Sequence, residues 1–143
     1  MLPHPVFDVA EVMDRVPIDR ISMLPGPPAI YQTILNHPDL ENFDMSTLRL
    51  AVTGAAVIPV EMIVQMREKL GFEKVVTGYG LTEGSGLATM CRHDDDPATI
   101  AKTSGRAMPG MEVKIINEQN EEVSRGNPGE IIVRGYNIMR GYL

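Results

Sequence analysis

Val75-Val76-Thr77-Gly78-Tyr79-Gly80-Leu81-Thr82-Glu83 runs from a short apolar strand into a glycine-permitted turn and then presents a hydroxyl and a carboxylate side by side. Gly78 and Gly80 let backbone approach a ligand with no Cβ in the way, while Thr82 and Glu83 offer oxygen donors suited to phosphate and a hard cation. The combination suits a magnesium nucleotide held at the end of a strand. A dinucleotide reading of Gly78-x-Gly80-x-x-x-Gly84 fails on spacing, because its third glycine falls one residue too late for the Rossmann fingerprint.

Working outward from that turn, Leu48 to Thr53 is a second short apolar strand ending at Gly54. Pro59 then opens a helix whose Met62, Ile63, Met66 and Leu70 point one way before Gly71 stops it. Upstream, Asp8 and Glu11 resemble a capping box, and Val9, Val12, Met13 and Val16 keep helical spacing until Pro17, which is expected to end the helix. Ile18 to Leu24 reads as a buried strand. The turn Pro25-Gly26-Pro27 leads from it into a helix with Ile30, Tyr31, Ile34 and Leu35 on one face. Strands alternating with helices of about ten residues predict an α/β fold, a mostly parallel sheet flanked by helices with ligands at the carboxyl ends of its strands. Gly54 and Gly78 both fall at such ends.

Beyond residue 105 the period changes. Met111, Val113 and Ile115 alternate with Glu112 and Lys114, and a second run covers Glu130 to Arg134, so a small antiparallel β subdomain is expected. The chain divides on this reading into residues 1–104, part of an α/β subdomain, and 105–143, the beginning of the β unit.

With 13 Lys+Arg against 19 Asp+Glu and a net charge of −6, the 143-residue chain lacks the basic footprint of a nucleic-acid binder. Its single cysteine, Cys91, excludes an internal disulfide and fits a reducing, cytoplasmic setting. No stretch approaches the roughly 18 apolar residues of a membrane span. His93 with Asp94, Asp95 and Asp96 reads as a solvated loop before Pro97 rather than a metal cluster, since consecutive side chains diverge. Met62 and Met66 read as core filling, and Glu118, Glu121 and Glu122 as an exposed turn.

Tyr79-Gly80-Leu81-Thr82-Glu83 resembles a signature of the AMP-forming acyl-CoA synthetases, within the adenylate-forming superfamily that also includes luciferases and peptide-synthetase adenylation domains. The likeness extends from Leu24-Pro25-Gly26-Pro27-Pro28 to Gly129-Glu130-Ile131 and Gly141-Tyr142. It implies a partial adenylate-forming fold whose last part begins a small β-barrel. The family's enzymes are several times longer, open with a phosphate loop not found in this sequence, and carry a ribose-binding aspartate, a hinge and a C-terminal lysine beyond the matching stretch. The resemblance therefore implies an interior piece of a ligase, inactive by itself, whose partners are ATP, Mg2+, coenzyme A, a small carboxylic acid and the remainder of the synthetase.

The chemistry implied is attack of a hydrophobic carboxylic acid, a fatty acid being expected, on the α-phosphate of ATP, followed by transfer to coenzyme A. By motif position Thr82 bonds the phosphate or adenylate, Glu83 binds magnesium and Tyr79 lies along adenine. Gly54, Ala55 and Ala56 resemble the family's small-residue stretch packing on adenine and acyl group, and Thr77, Gly78 and Gly80 complete the nucleotide contacts. Val52, Ala55, Gly78, Met90 and Gly105 resemble acid-pocket positions, and a methyl added at Gly78 is expected to narrow the choice of acid. Two alternatives stand beside this one: an adenylation domain loading a carrier protein, and a non-catalytic nucleotide-binding or assembly module.

Overall fold

The computed structural model describes residues 6–54 and 56–143. The first helix, α1 (Val9–Ile18), starts as the sequence predicts: the Asp8 carboxylate accepts the Glu11 N–H at 2.9 Å and Val12, Met13 and Val16 are buried. Pro17 does not end the helix. It sits in the last turn, where its missing N–H removes a single hydrogen bond, and Asp19 closes the end by donating to the Arg15 carbonyl at 2.9 Å. The strand expected from Ile18 shrinks to β1 (Met23–Pro25). Ile18 is 68% exposed on α1, and Arg20 takes a left-handed φ of 52° that turns the chain so that the Ile21 N–H reaches the Val16 carbonyl at 2.9 Å.

Helix α2 (Pro28–Leu35) begins with proline, whose fixed φ suits a first turn, and buries Tyr31, Ile34 and Leu35. Strand β2 (Leu50–Gly54) follows, then α3 (Val60–Leu70), with Pro59 at its N-cap and Gly71 ending it at φ 74°. Strand β3 (Lys74–Tyr79) pairs parallel to β2, which pairs parallel to β1. Two further strands, β4 (Thr89–Met90) and β5 (Arg106–Ala107), add antiparallel, giving one five-stranded sheet in the order β1-β2-β3-β4-β5. The short helix α4 (Pro97–Lys102) lies between them. Its start is the Asp96-Pro97 pair read from sequence as loop: the Asp96 carboxylate accepts the Ala98 and Thr99 N–H groups at 2.8 and 3.0 Å. His93 and Asp94 are exposed, as a loop requires.

The expected antiparallel unit is a hairpin of β6 (Met111–Ile116) and β7 (Glu130–Gly135), registered from Met111 opposite Gly135 to Ile116 opposite Glu130. The five-stranded sheet extends through Ala107, three residues past the 104/105 division, and the hairpin begins at Met111.

The main core lies where α1, α2 and α3 meet the sheet, with Met13, Tyr31, Ala51, Ile63, Met66, Leu70 and Val75 all at 0% exposure. Tyr31 and Phe72 meet edge to face with ring centres 6.0 Å apart. The Tyr31 hydroxyl reaches the carbonyls of Leu24 (2.5 Å) and Val52 (3.2 Å), tying α2 to β1 and β2, and burial pushes its phenol well above the ordinary tyrosine range. Tyr31→Phe keeps the ring and removes the clamp. It is expected to lower stability by about 0.5–1.5 kcal/mol, read as a fall in the urea midpoint at constant m; an unmoved midpoint would show that the hydroxyl contributes nothing.

Candidate active site

Register decides what meets at the carboxyl edge of the sheet. Thr53 stands opposite Thr77, Gly54 opposite Gly78, and Gly78 opposite Met90. A cavity of about 940 Å3 opens there. Of the residues singled out from sequence, Val52, Gly54, Ala56, Thr77, Gly78, Tyr79, Gly80 and Met90 line it; Thr82, Glu83 and Gly105 do not. Ala55 lies outside the described residues.

The glycines serve the wall rather than the empty space. A Cβ on Gly78 would stand 2.8 Å from both Leu87 Cδ1 and the Thr89 carbonyl oxygen, so a side chain there is directed at β4. At Gly54 the added carbon would come 2.9 Å from the Gly78 carbonyl, and at Gly80 it would collide with the Gly86 carbonyl that folds back over the end of β3. Gly105, at φ 79°, packs so tightly on the Met90–Cys91 peptide that no Cβ fits, and it shapes the pocket only through Met90.

Sequence reasoning missed one wall. Ile100, Ala101, Lys102, Thr103 and Ser104 close the cavity from the end of α4, and Leu87 closes it from the loop before β4. Lys102 is the charged residue among the described lining residues, exposed, and its side chain makes no ion pair or hydrogen bond with the described residues. The Asp96-Pro97 helix start was the available signal. The sequence marks Thr53 only as the end of an apolar strand, yet its hydroxyl is buried in the cavity wall without a hydrogen-bond partner among the described residues. A buried hydroxyl left bare marks a place where a ligand atom is favoured.

Beyond Tyr79 and Gly80 the chain leaves the cavity and makes a 3-10 turn over Thr82–Gly84, closed by Ser85 at φ 52° and Gly86 at φ 92°. Thr82 is exposed and Glu83 partly so. The Glu83 carboxylate is held below the usual range first by its own backbone N–H and then by the Tyr142 hydroxyl, which donates to Oε1 at 2.8 Å. A lowered folded-state value means the charge is retained throughout the neutral range, and any stabilisation it gives is lost only as pH falls through that lowered value.

Among the described residues no three His, Cys, Asp or Glu side chains gather into a metal cage. Magnesium does not need one, since it is commonly held by one or two carboxylates, waters and substrate phosphates. An ionised Glu83, on the same short turn as Thr82, fits that donor set.

All 143 residues match the family model described as AMP-binding enzyme, and the chain belongs to that family of adenylate-forming enzymes. It is 50% identical to the 3-[(3aS,4S,7aS)-7a-methyl-1,5-dioxo-octahydro-1H-inden-4-yl]propanoyl:CoA ligase of Rhodococcus jostii and 43% identical to the ligase of the same name from Mycobacterium tuberculosis. Each match takes in 100% of this chain and 26% of the relative, so the chain spans about a quarter of their length. The inhibitor-bound crystal structure of the N-terminal domain of FACL13 from Mycobacterium tuberculosis superposes with a TM-score of 0.85 at 26% identity, over 97% of this chain and 34% of that one.

Because a methyl at position 78 meets β4 backbone, Gly78→Ala is expected to cost about 1–3 kcal/mol of stability, as overpacking does. In a full-length ligase it should depress activity on slender and bulky acids by the same factor. A graded acid series with melting curves checks this, and selective loss on bulky acids at unchanged stability would restore Gly78 as a size filter.

Proposed function

We propose that this chain is the nucleotide- and acid-binding part of an ATP-dependent acid-thiol ligase, which activates a hydrophobic carboxylic acid as its adenylate and passes it to coenzyme A. The observation that carries this reading is the cavity at the carboxyl ends of β2 and β3, continued by the turn that carries the ionised Glu83. In the first step the acid's carboxylate oxygen bonds to the α-phosphorus of ATP and pyrophosphate departs. In the second the thiol of coenzyme A gives up its proton, sulfur bonds to the acyl carbon and AMP leaves with the bonding electrons.

The residues take simple roles. Tyr79 lies along the adenine, with Gly54, Ala56 and Gly80 keeping side chains out of its way; Ala55 joins them on the sequence motif alone. Thr77 borders the adenylate, and Thr82 donates its hydroxyl to phosphate. Glu83 would hold magnesium, which would supply positive charge against that developing on the phosphate oxygens. Val52 and Met90 face the acid, Gly78 lets β4 close on it, and Gly105 supports Met90.

For the acid itself, the two relatives act on a propanoyl group carried by a methylated fused bicycle with two keto groups. Apolar walls at Val52, Leu87 and Ile100, with donors at Thr53, Lys102 and Ser104, suit a fused-ring keto acid of that kind better than a plain fatty acid. No helix among the described residues is long and apolar enough to cross a membrane. A cytoplasmic site of action agrees with substrates such as ATP and coenzyme A. We keep residues 1–104 as the nucleotide and acid subdomain and 105–143 as the start of a smaller β unit.

Pyrophosphate release from ATP and acid tests the reading. A full-length protein containing this chain should release it in the presence of acid, and the 143-residue chain alone should not. Failure of the full-length protein on every hydrophobic acid would reject the function; release by the chain alone would reject its dependence on the rest of the ligase. Glu83→Gln in the full-length enzyme should remove several kcal/mol of transition-state stabilisation and shift the magnesium dependence. Its melting temperature should stay near that of the parent, and an unchanged magnesium profile would remove Glu83 from the metal site.

A further inference from the structure

We propose that residues 135–142 form a strap that sets the Thr82–Gly84 turn, and that Tyr142 is a positioning residue that fixes the Glu83 carboxylate for its cation. The inference rests on the ligase reading above. A three-residue 3-10 turn has little to hold it in one place, because its own i to i+3 bonds fix shape but not position. Here position comes from across the fold. The Met139 N–H donates to the Glu83 carbonyl at 2.8 Å, and Asn137 Nδ2 donates to the carbonyls of Gly84 (2.7 Å) and Leu87 (3.0 Å). In return the Ser85 hydroxyl donates to the Asn137 carbonyl at 2.8 Å, holding a non-glycine residue at φ 52°. These bonds join residues at least 50 apart in sequence, so they exist only when the β6–β7 hairpin is in place.

Tyr142 completes the set at the side chain. Its hydroxyl donates to Glu83 Oε1 at 2.8 Å, and its ring is 75% exposed, so the residue contributes almost nothing to the core. A free glutamate side chain samples many rotamers, and ordering it on ligand binding costs conformational entropy. One donated hydrogen bond narrows that search in advance. It also leaves the carboxylate most of its acceptor capacity, since two oxygens offer about four lone-pair sites. The arrangement is that of a partner behind a metal-binding carboxylate, orienting it without touching the cation.

The test uses Tyr142→Phe in the full-length ligase, with Glu83→Gln as reference. Two readings are taken: Mn2+ binding in the presence of a non-hydrolysable ATP analogue, by electron paramagnetic resonance, and the Mg2+ concentration giving half-maximal pyrophosphate release. For Tyr142→Phe, Mn2+ affinity should fall and the Mg2+ requirement rise, each roughly tenfold, with kcat at saturating Mg2+ and the melting temperature little changed. If Glu83→Gln alters both readings and Tyr142→Phe neither, the strap proposal is overturned and the ligase reading stands. A fall in kcat for Tyr142→Phe without a shift in either metal reading overturns it as well. Should Glu83→Gln also leave metal binding unchanged, the metal role of Glu83 fails and the inference fails with it.

Discussion

Parallel pairing of β2 with β3, from Leu50 opposite Lys74 to Gly54 opposite Gly78, is the constraint on which the rest of the molecule depends. Parallel strands need a crossover, and α3 supplies it, burying Ile63, Met66 and Leu70 while returning the chain to the same edge. A slip of one residue in this register would turn Ala51 and Val75 out of the core and move the two glycines apart. With the register kept, Gly54 at the end of β2 faces Gly78 near the end of β3, and the absence of their side chains lets the backbones around them close up into the cavity wall. Tyr31 guards the pairing from the β1 side by bonding to carbonyls on both neighbouring strands.

The same geometry separates charge from the apolar pocket. The described cavity wall contains hydroxyls, small residues, aliphatic groups and one lysine, but no carboxylate. Glu83 stands beyond it, on the turn that follows Gly80. An acid entering the cavity as an anion therefore meets no fixed negative charge within it, and like charges in a partly dry site would oppose its binding strongly. On the proposed ligase reading a nucleotide spans both regions, with its base on the cavity side and its phosphates toward the turn. Tyr79 and Gly80 belong to both, lining the cavity and leading directly into Leu81 and Thr82.

Local signals carried the sequence reading as far as local physics reaches. The helices around Tyr31 and Met66 and the strands at Leu50 and Val75 have periodicity and punctuation within a few residues, and they form where that pattern puts them. Errors came where short-range competition or distant contacts decide. Ile18 looked like strand because it is apolar, but Pro17 is tolerated in the last turn of α1 and Arg20 reverses the chain. Asp96-Pro97 was read as the end of a loop although the same pair opens a helix. Gly78 lines the cavity and Gly105 does not, and the β4 residues that an added Cβ would meet at each are set by strand pairing that no local pattern discloses. The Tyr142 contact to Glu83, across 59 residues, was out of reach in the same way.

The switch from parallel to antiparallel at β4 gives the site its adjustable side. Because β4 runs back against β3, it returns the chain across the cavity edge, and α4 and the 102–104 segment then close the wall facing β2 and β3. That wall is anchored by few bonds: the Thr89 hydroxyl donates to the Ser104 carbonyl at 2.6 Å, and Gly105 lies against the Met90–Cys91 peptide. Ile100 belongs to the buried core, whereas residues 102–104 are exposed, so those three can differ in size and polarity without touching the β2–β3 register or the Thr82–Gly84 turn. The two sides of the cavity thus rest on different elements. The glycine side is fixed by strand pairing and the neighbouring Thr82–Gly84 turn by hydrogen bonds from residues 137–142, while the opposite wall comes from a short helix and the segment that follows it.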